Sequence, residues 1–294
     1  MKSALDLGIA VIAVTLMAAI GLALDARLLA RTLRPARPIL LQLAATIGLP
    51  PLAGLLTVWL LKPPPEIAAG ILLLAACPVG DIANIYTLHA KGSTARSLVI
   101  NAMTAIAAPL TMTMVLSLYE MAGRSESLLV VPAGPLFIRL SLLLAGPVAA
   151  GMLIRHHWPA FARRAELPLQ RFTAVGIILM VALVFLSPVF RNESYFHAAA
   201  AALVFLGFCG ALAAALFLLS RGTGRGERIA GLMCLPVRNV GVAALIALGL
   251  LGRHEMAAVL AVYFVIEVPL MWALARFLAG RRRGENLTES SSSA

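Results

Sequence analysis

Apolar residues fill the chain in nine long blocks, at 5–24, 39–61, 67–90, 93–118, 136–154, 172–189, 198–219, 229–250 and 257–278. Each is about as long as the 17–25 residues a helix needs to cross a bilayer. The connections are too short to hold a soluble domain. The pattern predicts an all-α polytopic membrane protein with nine transmembrane helices, forming one domain over residues 1–283. Residues 284–294 are polar, serine-rich and without periodicity, and are expected to form a disordered tail.

Two blocks are interrupted. In 67–90 the break is Cys77-Pro78-Val79-Gly80-Asp81-Ile82-Ala83-Asn84, and in 229–250 it is Cys234-Leu235-Pro236-Val237-Arg238-Asn239. Proline removes a backbone donor and bends a helix. At membrane depth the freed backbone groups are tolerated only against protein or a water-filled cavity. Each broken block is followed by an intact one bearing Pro-Leu, at Pro109-Leu110 and Pro269-Leu270. Broken-then-intact thus occurs twice, which predicts inverted repeats whose broken helices cross near the midplane, the architecture of a secondary transporter site.

Composition sharpens this picture. The chain is 61% hydrophobic and 13% charged, with a net charge of +11. The excess arginines lie in connections between apolar blocks, where they report topology and lipid-headgroup contact rather than nucleic-acid binding. Seventeen basic residues, among them Arg27, Arg96, Arg155, Arg228 and Arg276, fall on one side and six, including Arg124 and Arg191, on the other. The richer side is read as cytoplasmic, with the N-terminus outside and the C-terminus inside a cell (inner) membrane. Cys77, Cys209 and Cys234 sit in apolar blocks and are expected to pack as small apolar side chains rather than form disulfides.

Three ionisable residues lie well inside blocks, where each is expensive: Asp81, Arg238 and Glu267. Asp81 and Arg238 occupy the two breaks, so an ion pair between them is expected if the broken helices cross. Glu267, beside Pro269, is expected to face the same cavity and take up a proton, or to sit against Arg238 instead. Ser97 and Asn101 are four apart and share a helix face. With Asn84 and the freed carbonyls they offer the neutral oxygens that suit a small hard cation, and Asn239 complements them from the second break. The helix starts after each break, reinforced by Arg238, favour an anionic substrate. His89 is read as lying at headgroup level.

At these residues the sequence resembles the bile acid:sodium symporter family. The resemblance runs through Met17-Ala18-Ala19-Ile20-Gly21-Leu22, Pro64-Pro65-Glu66-Ile67-Ala68-Ala69-Gly70, the first break and Ala90-Lys91-Gly92. It implies inverted five-helix repeats, a core domain with two crossing broken helices, and a panel domain that rocks against it, here starting at the family's second helix. It also implies sodium ligands at the positions of Ala83, Asn84, Ser97 and Asn101. Asn84 and Ser97 agree with that pattern, Asn101 offers an amide for a hydroxyl, and Ala83 has no side-chain ligand. On the second broken helix the family's Glu-x-x-x-Gln-Asn reads Cys234-Leu235-Pro236-Val237-Arg238-Asn239. The acidic ligand becomes a cysteine, and Arg238 stands where a built-in cation would sit.

The expected function is secondary active transport of a small organic anion by alternating access, with Na+ or H+ as coupling ion and no other cofactor. The alternative is the same fold working by proton coupling, exchange or sodium-independent transport. An intramembrane aspartyl protease needs two membrane aspartates, and Asp81 stands alone at depth, Asp6 and Asp25 lying at block ends. No His-Glu-x-x-His helix is present.

Overall fold

A computed structural model describes residues 2–34, 36–121, 133–186 and 194–292. Arg124 and Arg191, counted above in the charge balance, lie outside them. Among the described residues the chain is helical and contains no strand.

The helices are α1 (Lys2–Ala23), α2 (Ala26–Thr32), α3 (Ala36–Leu61), α4 (Pro65–Ala76), α5 (Ile82–His89), α6 (Thr94–Met121), α7 (Ala133–Leu140), α8 (Gly146–His157), α9 (Pro159–Leu186), α10 (Ser194–Leu219), α11 (Arg225–Cys234), α12 (Val240–Ala244) and α13 (His254–Ser292). By length and composition five stretches can cross a membrane: Ala36–Leu61, Thr94–Tyr119, Ala133–His157, Tyr195–Leu219 and Met256–Gly280. Pro65–Ala76 and Val240–Leu250 are shorter apolar helices, and both belong to the interrupted blocks.

Proline explains where the helices stop and bend. Cys77 ends α4 in an extended conformation, as expected of a residue before proline. Between α7 and α8 the helix widens into a π-helical segment, Ser141–Ala145, where the Gly146 N–H reaches back five residues to the Ser141 carbonyl. Pro147, which has no N–H to continue the α pattern, follows directly. A second π-helical segment, Leu245–Leu250, carries α12 onward.

The helices pack in two sets. In one, α1 lies against α8 and α9, and α8 against α9; in the other, α3, α4, α6, α10, α11 and α13 enclose one another. The first set is held by close backbone approach. A Cβ at Gly21 would sit 2.1 Å from the Val148 carbonyl oxygen, and one at Gly151 only 2.4 Å from that of Ala18. Small residues permit such contact, and dispersion between backbones then holds the helices where lipid supplies no hydrophobic drive. In the second set α4 is buried from Ile67 to Ala76, matching its apolar character on every face. Large apolar side chains such as Leu41, Trp59, Leu110, Ile178 and Phe196 are exposed on the outside.

Two features differ from the sequence reading. The last helix continues to Ser292, over the polar stretch read as disordered from 284, which contains no proline to stop it. Arg96, read as a headgroup contact, is fully buried at the start of α6. Its Nε donates to Gln42 Oε1 of α3 at 2.7 Å, and its Nη1 lies 3.6 Å from Glu227 Oε1 of α11. Gln42 closes the triangle by donating to the Glu227 carbonyl at 3.0 Å. Arg155 is likewise paired, with Glu166 at 3.6 Å, and Arg228 donates to the Phe217 carbonyl and stacks over its ring.

Candidate functional site

The two breaks meet back to back. Val79 and Arg238 form an antiparallel bridge, in which the Gly80 N–H donates to the Val237 carbonyl at 3.1 Å and the Asn239 N–H to the Pro78 carbonyl at 2.9 Å. Contact this close requires glycine, because a Cβ on Gly80 would stand 2.9 Å from the Arg238 carbonyl oxygen.

Nearly every backbone group freed by the prolines has a partner from a neighbouring helix. The Val79 N–H donates to Thr104 Oγ1, and the Thr111 hydroxyl donates to the Ala76 carbonyl. The buried Tyr263 hydroxyl donates to the Pro236 carbonyl. Satisfying these groups internally removes a cost of several kcal/mol each in a medium without water. The carbonyls of Ala75, Ala76, Pro78, Pro236 and Val237 thus each accept from a protein donor.

Arg238 does not pair with Asp81, nor with Glu267. Ion pairs form elsewhere, between Arg96 and Glu227 and between Arg155 and Glu166. Arg238 is 4% exposed, and its guanidinium donates instead to the carbonyls of Thr46, at 3.4 Å, and Ala75, at 3.2 Å. The sequence supplies the reason. Pro50 lies four residues after Thr46 inside α3 and has no N–H to offer that carbonyl, while Ala75 lies in the last turn of α4. A planar cation with several donors serves both at once.

Asp81 precedes α5, but its side chain makes no capping bond. It accepts instead from Asn101 Nδ2 at 2.6 Å. Asn239, at the corresponding place before α12, does cap its helix by accepting from the Val242 N–H at 3.1 Å. Ser97 Oγ donates to Asn84 Oδ1 at 2.6 Å and lies 3.3 Å from the Cys234 sulfur. The three residues read as cation ligands are therefore split: Asn84 and Ser97 meet directly, and Asn101 turns its amide nitrogen to Asp81. The Oδ1 of Asn101, fully buried, has no hydrogen-bond partner.

A cavity of about 230 Å³ opens beside the crossing. Gly80, Asp81 and Asn84 border it from the first break, Arg238 and Asn239 from the second, and Glu267 from α13. α1 and α9 contribute Ile20, Thr173 and Ile177 to the wall, and α6 and α13 contribute Leu98 and Phe264. Glu267 is 1% exposed, and one of its carboxylate oxygens has no hydrogen-bond partner. The cavity thus brings together Asp81, Asn84, Arg238, Asn239 and Glu267, with Ser97 and Asn101 one contact behind.

Sequence reasoning missed Thr46, Thr104, Thr111 and Tyr263, which complete the crossing. The available signals were the Thr46/Pro50 spacing and isolated hydroxyls in apolar blocks. His89 packs edge-on to Trp272 of α13, with ring centres 4.4 Å apart.

Two interrupted helices bridged through their backbones beside a cavity define a helical membrane protein built around a central site. Residues 10–191 match the family model described as the Sodium Bile acid symporter family. The chain belongs to this family. It is 27% identical over 169 residues to an uncharacterized sodium-dependent transporter, YocS, of Bacillus subtilis, covering 58% of this chain and 51% of the relative. To a probable sodium/metabolite cotransporter, BASS1, chloroplastic, of Oryza sativa subsp. japonica it is 32% identical over 131 residues, 45% of this chain and 31% of the relative. To the human sodium-dependent organic anion transporter it is 26% identical over 166 residues, 56% and 43% respectively. The matches span about half or less of the length of these relatives.

Proposed function

We propose that this chain is a secondary active transporter that moves a small organic anion across a cell (inner) membrane by alternating access, coupled to sodium. The observation that carries the reading is the backbone bridge between the two breaks beside the cavity. A rigid crossing joined to a separate helix set gives two bodies that can rock about one site. On this reading α3 to α6 and α10 to α13 form the core domain, and α1 with α7 to α9 the panel domain. The antiparallel sense of the bridge supports inverted repeats within nine spans over 1–283, with a polar cytoplasmic tail beyond and the N-terminus outside. The family's relatives carry sodium dependence in their names, which supports sodium as the coupling ion.

The oxygens proposed for sodium are those of Asn84, Ser97 and Asn101, and the unpartnered Asn101 Oδ1 supports the choice. Asn239 and Arg238 at the second break are proposed to receive the anionic group of the solute. Asp81 and Glu267 complete the cavity wall.

A second reading has a specific observation in its favour. The Arg238 guanidinium already holds two buried carbonyls at the crossing. It would act there as a tethered cation, leaving transport with one sodium fewer, with protons through Asp81 or Glu267, or by exchange. Thermal unfolding of the detergent-purified protein in sodium against potassium, at two pH values, separates the two. Sodium-specific stabilisation of the wild type supports the first reading. No sodium effect in the wild type, with one appearing in Arg238→Gln or a strong pH dependence in its place, supports the second.

A further inference from the structure

We propose that the space between α3, α10 and α11 is a binding site for an anionic phospholipid, which seats its phosphate between Arg37 and Arg228 and lays an acyl chain along α3. The site is separate from the cavity at the crossing and does not depend on the transport reading.

This second cavity encloses about 860 Å³, against about 230 Å³ beside the crossing. Arg37 and Arg228 border it, and among the described residues no acidic side chain does. Glu227, next to Arg228 in the chain, turns its carboxylate to Arg96 Nη1 of α6 at 3.6 Å instead. Arg228 is held in place: its Nε donates to the Phe217 carbonyl at 2.7 Å, and its guanidinium carbon lies 4.2 Å from the centre of the Phe217 ring. A guanidinium fixed in this way is already oriented, and its planar fork suits phosphate oxygens. Two other polar side chains in the wall are spent within the protein. Gln42 is engaged with Arg96 and Glu227, and the Ser220 hydroxyl donates to the Leu216 carbonyl. Recognition of an anion therefore falls to the arginines, with the Thr223 hydroxyl beside them.

The charged and apolar parts of the wall lie at different depths along the helices. Arg37 stands at the start of α3, Thr223 in the turn after α10 and Arg228 in the first turn of α11. The bond from Gln42 to the Glu227 carbonyl ties the starts of α3 and α11 together. Leu49 borders the cavity about 18 Å further along α3, at a rise of 1.5 Å per residue. Leu235, at the far end of α11, borders it as well. Leu41 and Leu219, also in the wall, are 62% and 80% exposed, so this side opens toward the lipid tails. Basic pockets between membrane helices suit anionic headgroups. A free anion would leave the apolar depth unfilled, and a lipid without net charge would leave the arginines unneutralised. The wall also includes Thr46, whose carbonyl accepts from Arg238, so a bound acyl chain packs against the turn of α3 that anchors the crossing.

The test titrates the thermal unfolding of the detergent-purified full-length chain with phosphatidylglycerol, phosphatidylcholine or inorganic phosphate. Each arginine near an anionic headgroup contributes roughly a fivefold preference, so phosphatidylglycerol is expected to act at a concentration about thirtyfold lower than phosphatidylcholine. Inorganic phosphate is expected to have no effect. Arg37→Gln, an exposed position, should reduce the preference about fivefold, and Arg37→Gln with Arg228→Gln should erase it. Ala44→Trp, which fills the cavity without changing charge, should erase it too. Arg163→Gln on α9, exposed and outside the cavity wall, should keep it in full. Equal action of the two lipids on the wild type, or a preference that survives in Arg37→Gln or Ala44→Trp, overturns the proposal. Stabilisation by inorganic phosphate at the same concentrations marks an ion site in place of a lipid site and overturns it as well. So does an equal loss in Arg163→Gln, which would trace the preference to the overall charge of the chain.

Discussion

Replacing Gly80 with alanine tests whether the two breaks are locked by backbone contact. The added Cβ would lie 2.9 Å from the Arg238 carbonyl oxygen, 3.3 Å from its carbonyl carbon and 3.4 Å from Val237 Cγ1. Two of these atoms are backbone, held in a bridge by bonds of 3.1 Å and 2.9 Å, so no side-chain rotation relieves the contact. The breaks must separate by a few tenths of an ångström. Overpacking of this kind costs about 1–3 kcal/mol, and weakening both bridge bonds adds about 1 kcal/mol. The expected loss is therefore about 2–4 kcal/mol, read as a lower unfolding temperature in detergent. Gly48→Ala is the control, because nothing lies within 4 Å of a Cβ there. Inside helix α3 that change should be neutral or gain up to about 1 kcal/mol. If Gly80→Ala melts with Gly48→Ala, and both retain sodium-driven uptake in vesicles, the crossing is not held by the close approach described above.

Two other substitutions probe the scaffold. Gly151→Ala places a Cβ 2.4 Å from the Ala18 carbonyl oxygen, forcing α1 and α8 apart; thermal melting should show a loss of about 3 kcal/mol or more, and an unchanged melt would refute the close packing. Arg96→Met removes a buried guanidinium whose partner Glu227 keeps 35% of its side-chain surface exposed. Because that exposure lets water solvate the remaining carboxylate, the expected loss is about 2–3 kcal/mol, below the range for a wholly buried pair. A Glu227→Gln, Arg96→Met double variant that loses no more than Arg96→Met alone would locate the cost at Arg96 and Gln42.

Family and site region were both legible in the chain because proline acts locally. Pro78 and Pro236 interrupt helices wherever they fold, and a polar residue beside such a break has few places to go except an interior cavity. The apolar blocks likewise follow from bilayer thickness, a property of each segment by itself. Asn84, just after the first break, and Ser97, sharing a helix face with Asn101, were grouped from the sequence, and Asn84 and Ser97 lie in hydrogen-bond contact.

What the sequence could not determine was which buried groups choose each other. Asp81 and Arg238 looked like a pair because opposite charges at two crossing breaks attract. Arg238 instead serves a carbonyl orphaned by Pro50, 192 residues away from it in the chain, and Asp81 takes the nearer amide of Asn101. Arg96 looked like a surface charge from its place beside Lys91 and Gly92, and only the approach of Gln42 and Glu227 from two other helices buries it. Helix breaks, spans and family are fixed by short-range sterics and by hydrophobicity summed along the chain. Partner choice among buried polar groups is decided by which donors and acceptors the tertiary packing leaves unsatisfied, and in a low-dielectric interior each unsatisfied group costs enough to outweigh attraction between more distant charges.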